Sequence, residues 1–472
     1  RKFGCYTVPD FIGTRYGGNL TRLLAVIVLT VASFTYVTAQ INATGTIASV
    51  ALDIDFKYAV YIGLISILLC SMLGGMRAVT WTQVAQYIVL IIAYLLPIFW
   101  ISNKMGAGFF PHFMLADEVA RIGELEQQFG FVKNSAADLA TVPKGLAGIT
   151  KAHSAVNATP WAFISLALAM MMGTASLPHV MMRYFTTPSV KAARKSVGWS
   201  LFFIFLLYSS APMLATLSKL SLIDPNLSTG IIGKSFAEVQ SIDWFQNWNQ
   251  ANLMFISDFN GNGTLELNEF FMGGKAVVLA TPEIAGLPYV ISGLVAAGGM
   301  AAAMSTADGL ILAIANALSH DLYYKIIDPK AETAKRLLVA RVLLVVIGFA
   351  GATIAAMEIQ GILGSVIWAF DFAMSGLFFP LVLGVWWKRA NREGAIAGMV
   401  LGLGSAIWYL VWVRTGGSGF LGLTQLTFGI FGAGVSFVAM VVVSLMTQEP
   451  DKATQKMVDE VRIPTGRTVT GK

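Results

Sequence analysis

Long apolar runs joined by short polar links dominate the chain. Ten runs reach the ~20 mostly apolar residues that a membrane-spanning helix needs. They are residues 21–42, 57–76, 80–102, 160–182, 197–218, 284–319, 337–357, 361–387, 394–413 and 425–446. β-barrel strands alternate over ~10 residues, and these runs are too long and too uniformly apolar for that. The sixth run exceeds what a ~30 Å hydrocarbon core requires at ~1.5 Å per residue. It is expected to tilt, bend or protrude, with Gly298-Gly299 as the weak point. Polar sequence collects in two long loops, 103–159 and 219–283, and in a short tail, 447–472. Within the first loop, LADEVARIGELEQQF (115–129) has the amphipathic period of a surface helix.

Composition narrows this to an all-α polytopic membrane protein. Of 472 residues, 56% are hydrophobic and only 12% charged. A soluble domain carries about 25% charge, so this chain cannot cover a water-facing surface. The two cysteines, Cys5 and Cys70, are not placed for a disulfide and are expected to be free. The net charge of +6 invites a nucleic-acid reading, but excess Lys and Arg on the cytoplasmic side explains it better. With ten spans both termini share a side, and 22 of the 32 Lys and Arg fall there. Both termini are therefore expected in the cytoplasm of a bacterial inner membrane, with the two long loops external. The bilayer is the expected surrounding, with no nucleic acid and no obligate protein partner. The chain starts at Arg1 without an initiator Met or signal peptide, which reads as a fragment.

The sharpest local motif is DFNGNGTLELNE, residues 258–269, which follows the EF-hand loop position by position. Asp258, Asn260 and Asn262 offer side-chain oxygens at positions 1, 3 and 5, and Gly263 makes the turn at 6. Thr264 offers its carbonyl at 7, Glu266 acts through water at 9, and Glu269 closes the site with two oxygens at 12. Alternate oxygens on a tight loop converge on one hard cation, so a structural calcium site is expected. A solvated Asn/Gly turn is the plainer alternative.

Ionisable groups inside spans are costly and functional by default. Two acids stand out: Asp308 in span six and Asp371 in span eight. Ser305 and Thr306 lie beside Asp308, and a helix puts Ser305 and Asp308 one turn apart on one face. An oxygen site for a small cation and a small-residue packing seam are both open there. For Asp371 a buried structural hydrogen bond is equally open. Weaker candidates for coupling or cargo contact are Tyr36 and Gln40 in span one. Gln83 and Gln86 share a face of span three, Pro178 bends span four, and His179 and Arg183 follow it. His320-Asp321 is read as a helix cap. No Cys/His cluster, nucleophile elbow or phosphate loop is present, so no enzyme reading has residues to stand on.

Five stretches resemble the sodium:solute symporter family: FGCYTVPDFIGTRYGG (3–18), LGGMRAVTWTQVAQYIVL (73–90), GTASLPHVMMRYF (173–185), AAAMSTADGLILAIANALSHDLYYK (301–325) and FFPLVLGVWWKRANREGAIAGM (378–399). They occur in the family's order across nearly the whole chain. TWTQVAQYI and ALSHDLYYK are most similar to the cation/acetate symporter branch. The resemblance implies a leucine-transporter-like fold with inverted repeats and a site at broken helices. It also implies that the Ala302 carbonyl and the Ser305 and Thr306 hydroxyls bind sodium. Asp308 lies outside the family pattern, so tuning of the site through its neighbours and a proton-linked role both stay open. YTVPDF resembles the segment after the second helix of the first repeat, which implies three N-terminal helices missing here. The implied function is sodium-coupled import of a small organic anion such as acetate or another monocarboxylate. Alternatives are a symporter for proline or another neutral solute, and a non-transporting sensor, against which the short tail argues.

Overall fold

The computed structural model describes residues 2–106, 111–129, 160–463 and 468–469. Most of the 103–159 loop (107–110 and 130–159) and the end of the tail (464–467 and 470–472) therefore lie outside the described residues. Helices account for nearly all of the regular structure. α1 (Val8–Tyr16) starts where the Thr7 hydroxyl accepts the Asp10 amide at 3.1 Å, with Pro9 in its first turn. α2 (Asn19–Leu52) and α3 (Phe56–Lys104) follow, and α3 breaks at Gly75, whose φ of 56° only glycine adopts without strain. The break divides α3 into an apolar helix, Phe56–Met72, and a full-length span, Ala78–Lys104.

α4 (Leu115–Gln128) is the expected amphipathic helix, burying Ile122 and Leu125. α5 (Pro160–Ser176) and α6 (Pro178–Thr186) meet at a bend of 41°, where Pro178 cannot continue the preceding hydrogen-bond ladder. α7 (Val190–Ile223) runs into a loop subdomain made of α8 (Phe236–Gln240), α9 (Asp243–Gln250), β1 (Met254–Ile256), β2 (Phe270–Met272) and α10 (Val277–Ile284). The strands pair antiparallel, Met254 opposite Met272 and Ile256 opposite Phe270. α11 (Tyr289–Asn316) passes into a π-helical turn, Ala317–Ile327. α12 (Thr333–Ala356) precedes α13 (Ile362–Ala373), which reaches α14 (Phe379–Trp386) through a second π segment, Met374–Phe378. α15 (Arg392–Arg414), α16 (Phe428–Met446) and the short α17 (Lys452–Arg462) complete the chain.

Eight helices among the described residues are long and apolar enough to span a membrane, and the bent α5–α6 pair makes a ninth. The tenth expected run, 57–76, is the shorter helix Phe56–Met72. At the expected weak point, Gly298-Gly299, α11 stays helical through both glycines. They serve close packing instead: a Cβ on Gly298 would stand 2.4 Å from the Ala93 Cβ on α3, and one on Gly299 would stand 3.0 Å from Ile47 on α2. Dispersion and close backbone approach hold helices together where lipid supplies no hydrophobic drive.

Two apolar cores organise the bundle. One joins α1, α2, α13, α15 and α16 through residues such as Ile12, Phe370, Tyr409 and Phe428. The other joins α2, α3, α11 and α12 around Leu29, Leu64, Leu310 and Leu344. Large apolar side chains remain outside, with Phe205 on α7 72% exposed, as expected of a face that lipid covers. A third core, with Phe245, Trp248, Leu265 and Phe270, belongs to the loop subdomain. α4 is fastened to α7 there by two ion pairs, Lys219–Glu126 and Arg121–Asp224.

Candidate functional site

α11 carries the residues singled out for sodium. The Ser305 hydroxyl donates to the Ala302 carbonyl at 2.9 Å and the Thr306 hydroxyl to the same oxygen at 3.3 Å. The helical offsets of three and four residues bring both hydroxyls back over one carbonyl. Each hydroxyl oxygen keeps lone pairs for another partner. Ser305 and Thr306 line a cavity of about 420 Å³ with Gln83, Gln86, His179 and Arg183. Gln83 fixes this stretch by donating its amide to the Ser305 carbonyl at 2.5 Å.

Asp308 does not join these hydroxyls in the cavity. It is fully buried and accepts the Ser71 hydroxyl of α3 at 2.9 Å, while its second oxygen has no partner. The shared helix face expected from spacing is therefore split, the hydroxyls facing the cavity and the carboxylate facing α3. Asp371 is also fully buried, on α13 against Gly429 near the start of α16, where a Cβ would stand 2.4 Å from its oxygen. Its helix is braced by Ser375, whose hydroxyl donates to the Asp371 carbonyl at 2.6 Å. Asp371 is thus placed at a helix–helix contact, not among the cavity residues. Tyr36 packs edge-on against His179 and Phe370, at 5.7 and 5.5 Å between ring centres, which puts it behind the cavity wall. Gln40 is half-buried one turn further along α2.

Sequence reading missed Ser71 as the Asp308 partner and misread Asp321. Asp321 does not cap a helix; it accepts the Thr7 hydroxyl at 2.6 Å from the far end of the chain. Arg22 bridges this group, pairing with Asp10 at 3.2 Å and lying 3.8 Å from Asp321. Burial, with the nearby Asp321 carboxylate, pushes the Tyr6 phenol up from its ordinary value. Partners some 240 to 310 residues apart leave no signal in a single sequence.

In the 258–269 loop the oxygens turn onto the loop's own backbone. Asp258 accepts the amides of Gly261 and Gly263 at 2.7 and 3.0 Å. Asn260 accepts Asn262 at 2.9 Å, and Asn262 accepts Thr264 at 2.7 Å. Glu269 is fully buried and takes the amides of Phe259 and Glu266, both at 3.0 Å. Glu266 accepts the side-chain amides of Asn260 and Asn262. Among the described residues no Lys or Arg pairs with Asp258, Glu266 or Glu269. Strands β1 and β2, not helices, flank the loop. The twelve residues carry three carboxylates that accept hydrogen bonds within the loop and three carboxamides, oxygen donors of the kind a hard cation takes.

Residues 1–223 and 275–402 match the model of the sodium:solute symporter family, and the chain belongs to that family. The unmatched stretch between them contains the 258–269 loop. Among relatives, the chain is 35% identical to an uncharacterized symporter of Cupriavidus necator, covering 98% of this chain and 80% of that protein. It is 27% identical to a monocarboxylic acid transporter of Corynebacterium glutamicum, covering 86% of this chain and 66% of that one. A Na+-coupled sialic acid symporter, solved substrate-bound and outward-open, shares the fold at a TM-score of 0.61 and 18% identity, over 94% of this chain and 78% of its own. Family and helices together make this a multi-pass membrane protein.

Proposed function

We propose that this chain is a sodium-coupled symporter that imports a small organic anion, acetate or another monocarboxylate. The observation that carries the reading is that the Ser305 and Thr306 hydroxyls, both bonded to the Ala302 carbonyl, line one cavity with Gln83, Gln86 and Arg183. A carbonyl and two hydroxyls are hard oxygen donors suited to a small monovalent cation, and they need no deprotonation to bind it. The name of the Corynebacterium relative favours a monocarboxylate over a neutral solute. Asp308, with one oxygen unpaired and α3 beside it, is assigned to tuning from behind the site. The test is uptake of labelled acetate, pyruvate and proline into proteoliposomes holding the full-length chain. An inward sodium gradient is expected to drive at least one monocarboxylate and not proline. Uptake of proline alone, or equal uptake without sodium, overturns the reading.

The 258–269 loop is assigned a structural calcium ion, held by Asp258, Asn260, Asn262, the Thr264 carbonyl, Glu266 through water, and Glu269. With both termini in the cytoplasm the loop lies outside, where calcium is millimolar. One site at ~100 times its dissociation constant adds ~2.7 kcal/mol to the unit that unfolds with it. Thermal unfolding with 2 mM calcium against chelator is therefore expected to shift upward in wild type and not in Glu269→Gln. No shift in wild type, with no heat of binding up to ~5 mM, makes the loop a polar turn only. Labelling of Asn252→Cys by an impermeant maleimide on intact cells, with Ser189→Cys spared, checks the sidedness in the same experiment.

A further inference from the structure

The cavity beside Ser305 and Thr306 is lined by an arginine that no carboxylate neutralises at contact distance among the described residues. Arg183 lies on α6, just past the bend, and lines the cavity with His179, Gln83 and Gln86. One terminal nitrogen of Arg183 donates to the Thr80 hydroxyl at a long 3.5 Å. Among the described residues no carboxylate lies within 4.0 Å of it. A guanidinium has five N–H donors, so most of its donor capacity is open. Its other terminal nitrogen packs on α11, 2.9 Å from where a Cβ on Gly309 would stand. Asp308 is the neighbouring residue, yet its bonded oxygen is taken by Ser71. The acid thus balances the arginine charge at range without occupying the fork. Two further cavity-lining groups keep buried atoms without partners, His179 Nδ1 and Gln86 Oε1.

We infer that Arg183 is the residue that receives the carboxylate of the transported anion. This rests on the reading of the protein as an anion symporter. The planar fork matches a carboxylate with two parallel N–H···O bonds, and the match is charge-assisted. Arginine within a span is retained where it does work, because its desolvation is costly. The fork lines one cavity with Ser305 and Thr306, so a bound anion and a bound sodium ion attract each other across it. That attraction makes each ligand favour the other, which is what symport requires. Lysine offers a point charge instead of a fork, so it does not replace arginine here.

The test uses the full-length protein in proteoliposomes, with Arg183→Gln, Arg183→Lys and Gly309→Ala beside wild type. The probes are the labelled monocarboxylate that wild type transports and, as competitor, its neutral amide. Arg183→Gln is expected to raise the half-saturation for the carboxylate at least ~tenfold, and Arg183→Lys about fivefold, by loss of the bidentate bond. Sodium binding without cargo, read by intrinsic tryptophan fluorescence, should stay within about twofold of wild type, as expected where the fork contacts the anion and not the metal. Wild type should prefer the carboxylate over the amide, and Arg183→Gln should lose that preference. Gly309→Ala leaves every proposed ligand in place but pushes a methyl at the guanidinium; it should weaken cargo and spare sodium. Should Arg183→Gln not fold, the lysine and Gly309 variants decide alone. Cargo half-saturation within twofold of wild type in the variants that fold, or retained discrimination against the amide, overturns the assignment while the symporter reading stands. Wild-type transport of neutral solutes only overturns both.

Discussion

Replacing Ser305 and Thr306 together by alanine is expected to raise the sodium concentration for half-maximal uptake by at least ~tenfold. A hydrogen-bond-strength contact to a charged group contributes about 1.5–3 kcal/mol, and 1.4 kcal/mol is tenfold in affinity. Both hydroxyls already converge on one carbonyl, so little reordering is needed to present them to an ion. Removing them leaves the Ala302 carbonyl with two methyl groups in place of the hydroxyls. The maximal rate at saturating sodium should fall less than the affinity, because the cargo contacts remain. Thr306→Ser keeps the oxygen and should stay within about threefold of wild type, as a retained donor predicts. The measurement is initial uptake against sodium concentration for protein whose insertion and monodispersity match wild type. Unchanged sodium dependence in the double variant removes these residues from the ion site.

A second large effect is expected far from the ion, at Glu126. The Lys219 side chain is 1% exposed and pairs with Glu126, itself only 12% exposed. Glu126→Ala strands a buried ammonium, and breaking such a pair costs about 3–5 kcal/mol. The loss falls on the contact between α4 and the end of α7, where Leu220, Leu222 and Ile223 share a core with Ile122 and Leu125. If the loop subdomain melts as a unit of under 100 residues, its midpoint should drop by at least ~10 °C. Replacing both partners with apolar residues, Glu126→Leu with Lys219→Met, should recover most of the loss, because no charge is left to desolvate. Scanning calorimetry of the purified protein checks both variants. A midpoint unchanged by Glu126→Ala would mean that water reaches Lys219.

The membrane-spanning helices were legible because they are runs of ~20 apolar residues, a signal that survives without knowledge of neighbours. The amphipathic helix in the first loop was equally plain from its period, and Pro178 announced the bend between α5 and α6. The two glycines of α11 were not readable: a glycine that yields and one that packs closely look alike until Ala93 and Ile47 are placed against them. The strands β1 and β2 were missed because three residues carry no alternation. At the candidate site, the hydroxyl pair and its carbonyl lie within one helical turn, so their proximity was readable from spacing. What surrounds them is not local. Ser71 meets Asp308 across 237 residues and Gln83 meets the Ser305 carbonyl across 222, so neither contact follows from spacing.

Arg15 has a consequence for how the protein is made. Its buried guanidinium donates to the carbonyls of Gly384, Trp387 and Ala390, ending α14 with α1. The first of these partners lies 369 residues downstream. At roughly 5–20 residues per second, a ribosome needs about 20–70 s to supply them. Thr7 waits nearly as long for Asp321, 314 residues away. During that interval α1 has α2 to pack on, through the Asp10–Arg22 pair, but Arg15 lacks its carbonyl partners while the later spans enter one by one. Docking of Arg15 against the end of α14 and of Thr7 against Asp321 is therefore a post-insertion event, and the nascent chain is held in register by its spans before these contacts form.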